Sequence, residues 1–313
     1  MKKVAFIFPG QGSQEIGMGK AFFDQSKDVQ SQFQKADELL GVPLTEYMFE
    51  GPADTLTKTE NAQPALLLTS TTIAGILKEN GVQPNMVAGH SLGEYSALVA
   101  ANAISMEEAL QLVQTRGRLM EEAVPTGQGS MAAVLGLDAE TIEEVTTEIR
   151  DQGDVVEVAN YNCPGQIVIS GTKAGVEKAC EQLKEKGAKR ALPLNVSGPF
   201  HSRLMKPASE QFQQTLEQTD IHNADVPVYA NVTAQPVKEE KKIYDLLIEQ
   251  LYSPVRFEET LRNMMEEDLD AIVEVGNGKV LSGLVRKVNR RMKTFAIQDP
   301  ESLQSFIEWY KED

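Results

Sequence analysis

The sequence predicts an α/β protein in which a largely parallel sheet is interrupted by a small inserted unit. Three observations carry that prediction. Short apolar runs at Val4–Phe8, at MVAGH from Met86 and at DAIVEVG from Asp270 alternate with helical stretches, the rhythm of a parallel sheet. Between about residues 126 and 197 the order changes to βαββαβ, which is that of a ferredoxin-like unit. After Ser197-Gly198-Pro199 the helix and strand alternation resumes. The economical division is a discontinuous large domain, 1–125 and 198–313, with an insert at 126–197 whose two hinges flank a cleft.

Each element has a local reason. The run Val4–Phe8 follows two lysines but is shorter than a signal-peptide core and ends in Pro9-Gly10, so it reads as a first strand. A helix-like region to Leu40 and a buried helix from about Ala65 to Leu77 precede the MVAGH strand. The helix from Ser105 to Ala123 has Ser105 as N-cap and Glu107 and Glu108 in its first turn. It stops near Pro125-Thr-Gly-Gln-Gly129, a linker composition. The insert then reads as strand MAAVLGL, helix AETIEEVTTEIR, strand VVEVANY, turn NCPG, strand QIVISG, helix AGVEKACEQLKEKG and strand AKRALPLNV. The later strands are VPVYANV and DAIVEVG.

Composition excludes several function classes. The 313 residues hold 30 Lys plus Arg against 46 Asp plus Glu, a net charge of −16, which opposes general nucleic-acid binding and sends any polyanionic partner to a local basic patch. With 41% hydrophobic and 24% charged residues, the chain is globular. Cys163 and Cys180 are too few for a disulfide framework and lack metal spacing, so a reduced cytoplasm is expected. No stretch approaches the roughly 20 apolar residues needed to cross a bilayer.

The chemistry concentrates at Gly89-His90-Ser91-Leu92-Gly93, a GxSxG between an apolar strand and a helix-compatible stretch. Glycines flanking the serine permit a sharp turn that projects Ser91 Oγ beside a helix N-terminus, where the Leu92 amide can face a developing oxyanion. Three histidines are available as a base. His90 adjoins Ser91 on the turn and reads as packing; His222 reads as a surface residue. His201, at the exit from the insert, is the remaining candidate, and no acid presents itself to orient it, which leaves a Ser–His dyad with some other acceptor. In EEALQLVQTRGRLMEEA, Arg116 falls on the apolar face and Arg118 on the wet one. A buried guanidinium left unpaired costs about 3–5 kcal/mol, so its partner is either an internal carboxylate or a substrate. The loop Gly10-Gln11-Gly12-Ser13-Gln14 is an anion site or an ordinary strand–helix turn, with no nucleotide signature. Arg286, Lys287, Arg290 and Arg291 form a basic stripe, either a solvated face or a dock for an acidic partner.

Seven motifs in order, FPGQGSQ, GHSLGEYSAL, QTRGRLM, NYNCPGQIVISG, GPFHS, QLYSPVRF and VEVGNGKVL, span essentially the whole chain. Together they resemble the malonyl-CoA:acyl-carrier-protein transacylases of fatty acid synthesis. The resemblance implies an α/β-hydrolase-like large domain and a ferredoxin-like insert. It implies Ser91 as nucleophile, His201 as base, the backbone carbonyl of Gln250 as the acceptor orienting His201, and the amides of Gln11 and Leu92 as oxyanion hole. Arg116 matches the arginine that holds the malonyl carboxylate, and Phe200 the bulky residue of malonyl-selective relatives. Malonyl-CoA and holo acyl carrier protein are the implied partners, with no metal or redox cofactor, and the 286–291 stripe is a candidate carrier dock. One departure is Asn277, where many relatives have proline. Two rival readings are a serine esterase or thioesterase, which has no use for Arg116, and a non-catalytic carrier-binding module, which forms no adduct at Ser91.

Overall fold

The computed structural model describes residues 1–312. Its strands, in chain order, are β1 Val4–Phe8, β2 Met86–Gly89, β3 Gly129–Leu135, β4 Val156–Cys163, β5 Gln166–Thr172 and β6 Arg190–Pro193. They continue with β7 Val228–Tyr229, β8 Pro236–Val237, β9 Val255–Arg256, β10 Ala271–Val275 and β11 Thr294–Ile297. The first sheet runs β11-β10-β1-β2-β7-β8, parallel throughout except for the β7/β8 edge.

β1 reads VAFIF because both of its faces are covered. Val4, Phe6 and Phe8 enter one apolar cluster and Ala5 and Ile7 another, as the two-residue period of a strand dictates. The first cluster includes the buried faces of the helices Lys27–Leu40, Thr59–Glu79, Met106–Glu122 and Lys206–Leu216. The second includes Phe257–Met265 and Val280–Val288. Helices on both faces leave the carboxyl ends of the strands as the open edge, where ligands bind in such sheets. β1 is central, with Phe8 paired to Gly89, so the loops after β1 and β2 lie side by side.

The second sheet runs β6-β3-β5-β4-β9. Its first four strands are antiparallel and carry the helices Ala139–Asp151 and Lys173–Glu185, giving the βαββαβ order. Ala132, Val134, Val156, Val158, Ile167 and Ile169 pack on those helices, while Met131, Ala159 and Val168 join the main core. The molecule is thus a large α/β domain with a small one against it. The fifth strand, β9, comes from outside the 126–197 segment and pairs in parallel with β4, Asn160 opposite Val255.

Three local features differ from the sequence reading. The buried helix begins at Thr59, with Pro64 accommodated inside it. The last strand of the small sheet is only Arg190–Pro193. The helix carrying the basic stripe ends at Val288, so Arg286 and Lys287 are helical whereas Arg290 and Arg291 lie on the turn beyond.

Candidate active site

Two glycines close the turn between β2 and the helix Gly93–Ala100. A Cβ on Gly89 would meet the Gly93 carbonyl at 1.9 Å, and one on Gly93 would meet the Phe8 carbonyl oxygen at 2.1 Å. Only glycine permits that approach. At the apex Ser91 has φ 51°, a left-handed conformation that costs a non-glycine residue on the order of 1–3 kcal/mol. Asn231 holds it there: its Oδ1 accepts from the Ser91 amide at 2.8 Å and its Nδ2 donates to the Gly89 carbonyl at 2.6 Å.

His201 is also left-handed, φ 57°, and buried. Its Nε2 lies 2.7 Å from Ser91 Oγ and its Nδ1 2.9 Å from the Gln250 carbonyl oxygen. A carbonyl only accepts, so Nδ1 carries the proton and Nε2 is the acceptor for the serine hydroxyl. Burial, followed by the charge of Arg116, pushes His201 down to about 3, which keeps the imidazole neutral at physiological pH. In this arrangement the imidazole can take the serine proton, the geometry that a nucleophile and a general base require.

Arg116 is 0% exposed, although its helix Met106–Glu122 is amphipathic. Nη1 donates to Gln63 Oε1 at 2.9 Å; Nη2 donates to Gln250 Oε1 at 2.9 Å and to Ser91 Oγ at 3.1 Å. All three acceptors are neutral. The guanidinium carbon also lies 5.3 Å from the Tyr95 ring centroid, a cation–π distance. Glu94, the buried carboxylate nearby, reaches Arg116 only through Gln250 and across space.

A cleft of about 660 Å³ opens over these groups. Gln11, Gly12 and Thr59 line it from the large domain, Met131 and Asn160 from the small sheet, Leu194 from the residue just past its last strand, and Ser91, Phe200 and His201 where the two meet. Gln11 follows β1, and Leu92 stands at the N-terminus of Gly93–Ala100. Among the described residues no acceptor takes the amide of either, whereas the amides of Ser13, Gly93 and Glu94 are bonded within their turns. Asn277, 8% exposed, donates from Nδ2 to the Ser13 carbonyl at 2.7 Å. That bond anchors the Gln11 loop where proline would have stiffened its neighbour.

The other histidines stand apart from the serine hydroxyl. His90 Nε2 bonds Asn162 Oδ1 at 2.7 Å, its ring rests 5.2 Å from Phe257, and burial pushes its pKa down. His222 is exposed beside Asp220. The structure therefore gathers Ser91, His201, Arg116 and Gln250 into one hydrogen-bonded set, with Gln11 and Phe200 lining the same cleft. Arg286, Lys287, Arg290 and Arg291 are exposed and lie outside it. Lys287 Nζ reaches Gln166 Oε1 of the small sheet at 3.3 Å.

Gln63, Glu94 and Asn231 complete the set and were not singled out from the sequence. The available signal was a polar side chain beside an apolar stretch: Glu94 and Tyr95 precede the small or apolar SALVA run, and Gln63 opens QPALLL. Among the described residues no cluster of three or more His, Cys, Asp or Glu is placed to hold a metal ion.

A serine elbow with a neutral imidazole at the open edge of a parallel sheet belongs to the class of serine acyl-transfer proteins. Comparison with known proteins gives the family. The acyl transferase domain model matches residues 5–298, and the chain belongs to that family. It is 55% identical over 313 residues to a malonyl CoA-acyl carrier protein transacylase of Bacillus subtilis (strain 168), covering 100% of this chain and 99% of that one. It matches the crystal structure of an acyl carrier protein S-malonyltransferase from Vibrio cholerae with TM-score 0.94 and 43% identity, over 97% of this chain and 99% of the other. It also matches a malonyl-transacylase solved in complex with a type II polyketide acyl-carrier protein, with TM-score 0.95 and 41% identity, over 98% and 99% of the two chains.

Proposed function

We propose that the chain moves the malonyl group from malonyl-CoA to the phosphopantetheine thiol of acyl carrier protein through a malonyl ester on Ser91. The relatives carry that activity in their names, and one was solved with a carrier protein. The observation that carries the reading within this chain is Arg116, a buried guanidinium donating to the Ser91 hydroxyl itself and, among the described residues, to no carboxylate. A neutral ester has no need of it. A malonyl carboxylate matches its planar fork.

In the first half-reaction Ser91 Oγ attacks the thioester carbonyl while its proton passes to His201 Nε2. The Gln11 and Leu92 amides stabilise the tetrahedral oxyanion. His201 returns the proton to the departing sulfur, and CoA leaves as a thiol. The carrier thiol then gives its proton to His201, attacks the malonyl-serine ester and regenerates Ser91. Gln250 holds the imidazole throughout. When the malonyl carboxylate pairs with Arg116, it offsets the charge that adds to burial in depressing His201 and displaces the Nη2 donor from Oγ, so base and nucleophile both sharpen once the correct substrate arrives. Phe200 narrows the space around the malonyl α-carbon, and one methyl group there is worth about 1–3 kcal/mol of discrimination.

This chemistry needs no cofactor. The 286–291 cluster is the carrier dock in this reading, 126–197 is the substrate-facing insert of a discontinuous catalytic domain at 1–125 and 198–313, and the enzyme supplies fatty acid synthesis in the cytoplasm. No helix among the described residues is long and apolar enough to cross a membrane.

The test is intact-protein mass spectrometry after brief mixing with malonyl-CoA or acetyl-CoA, repeated on Ser91→Ala and with holo carrier protein added. A malonyl adduct that needs Ser91, scarcely forms from acetyl-CoA and moves to the carrier is expected. Free CoA released without a lasting adduct would instead indicate a thioesterase, and neither adduct nor turnover a non-catalytic carrier-binding module.

A further inference from the structure

One residue serves both halves of the site. The backbone carbonyl of Gln250 holds His201, while its side-chain Oε1 accepts from Arg116 Nη2. A side-chain amide has two possible directions, and turned over it would present its NH₂ to Arg116, donor against donor. The other end of the amide decides between them. Gln250 Nε2 lies 2.7 Å from Glu94 Oε2, 3.0 Å from the Ser91 carbonyl oxygen and 3.2 Å from Asn231 Oδ1. Glu94 makes the shortest of these contacts, and an ionised carboxylate can only accept.

Glu94 is 3% exposed, second residue of the helix that begins at the elbow, and among the described residues its carboxylate bonds the Asn231 amide and the Gln250 side chain and forms no salt bridge. Burial raises its pKa to about 7, while the Asn231 amide, the Gln250 side chain and the charge of Arg116 pull it back. A carboxylate is costly to bury for packing alone.

We propose that Glu94 is a positioning residue: it locks the Gln250 amide with its carbonyl toward Arg116, and so aims the guanidinium at the substrate carboxylate beside Ser91. The inference rests on the malonyl-transfer reading above.

The experiment compares two acylations of Ser91 by rapid-quench mass spectrometry above pH 7, where Glu94 is predominantly ionised. Malonyl-CoA needs Arg116; an uncharged alkyl fluorophosphonate needs only the serine and its base. Glu94→Gln preserves the shape but can donate as well as accept, which removes the charged acceptor and leaves the Gln250 amide held only by the Ser91 carbonyl and Asn231 Oδ1, a weaker lock. Its KM for malonyl-CoA should rise about tenfold, the worth of one hydrogen bond to a charged group, while fluorophosphonate labelling stays within about twofold. Glu94→Asp, which keeps the charge one methylene short, should fall between Glu94→Gln and wild type. A malonyl KM unchanged in folded Glu94→Gln overturns the proposal, and so does a parallel loss of both acylations, the mark of a merely structural role. If Glu94→Gln does not fold, Glu94→Asp carries the same two-rate comparison. Failure of the wild type to form any malonyl adduct would overturn the functional reading itself, and this inference with it, whatever the variants do.

Discussion

Arg116 and the cluster Arg286–Arg291 carry the same charge in opposite settings. Arg116 is sealed on the main core, with Nη1 and Nη2 already aimed at neutral acceptors. The four cluster residues are exposed, and their side-chain contacts are few and long, such as Arg286 Nε to Thr294 Oγ1 at 3.4 Å. A buried cation is poorly screened and pre-organised, so it selects a bound group by geometry. An exposed one is screened by salt and free to rearrange, so it acts on encounter with a partner.

Removing the buried charge should break the contrast most severely. Arg116→Ala leaves a malonyl carboxylate unpaired in the cleft, and malonyl-Ser91 formation should drop by about two to three orders of magnitude while fluorophosphonate labelling persists. Loss of both rates together would count against a carboxylate-binding role. Arg116→Lys keeps the charge but not the planar fork; a loss of about ten- to thirtyfold in kcat/KM for malonyl-CoA is expected, and full activity would show that charge alone suffices.

On the exposed side the effects should be smaller and salt-dependent. Combined Arg286→Glu and Arg290→Glu should raise the KM for carrier protein about three- to tenfold at low salt, an effect that shrinks by about 0.3 M salt. Loading from malonyl-CoA should be unchanged, and an unaltered carrier KM would move the dock elsewhere.

The smallest effect lies in stability against pH. His201 falls from 6.5 unfolded to about 3 folded, so the native state binds fewer protons and its contribution is lost as pH drops below about 6.5. Glu94 rises from 4.5 to about 7, so its contribution is present at low pH and lost as pH climbs through that window. The two slopes oppose each other between about pH 4.5 and 6.5. Glu94→Gln should therefore show a steeper loss of urea midpoint on acidification than wild type, and matching profiles would mean that Glu94 does not titrate as stated.

The residues legible in the sequence are those whose role leaves a local pattern. Ser91 is marked by two glycines that the turn geometry requires, and Arg116 by its place on an apolar helical stripe; the structure puts both where those patterns point. Gln250 entered only through family resemblance, because a backbone carbonyl has no side-chain signature. Gln63 and Asn231 are neutral amides whose partners lie 53 and 140 residues away in the chain, beyond any periodicity. The parallel α/β order and the βαββαβ unit were legible because their apolar runs are distinct. β9 was not, since two residues within QLYSPVRF give no alternation to read.

That short strand makes the small sheet's side of the cleft and the seat of His201 a single inheritance. β9 starts five residues after Gln250 and is clamped to β4 of the small sheet. An exchange of residues 126–197 between relatives would transplant four strands and leave the fifth behind, still tethered to the carbonyl that holds His201. The insert is therefore no interchangeable cassette. A chimaera that ignores the β4 edge inherits a displaced imidazole along with its new pocket, whereas one that carries Val255–Arg256 across keeps cleft and imidazole in step.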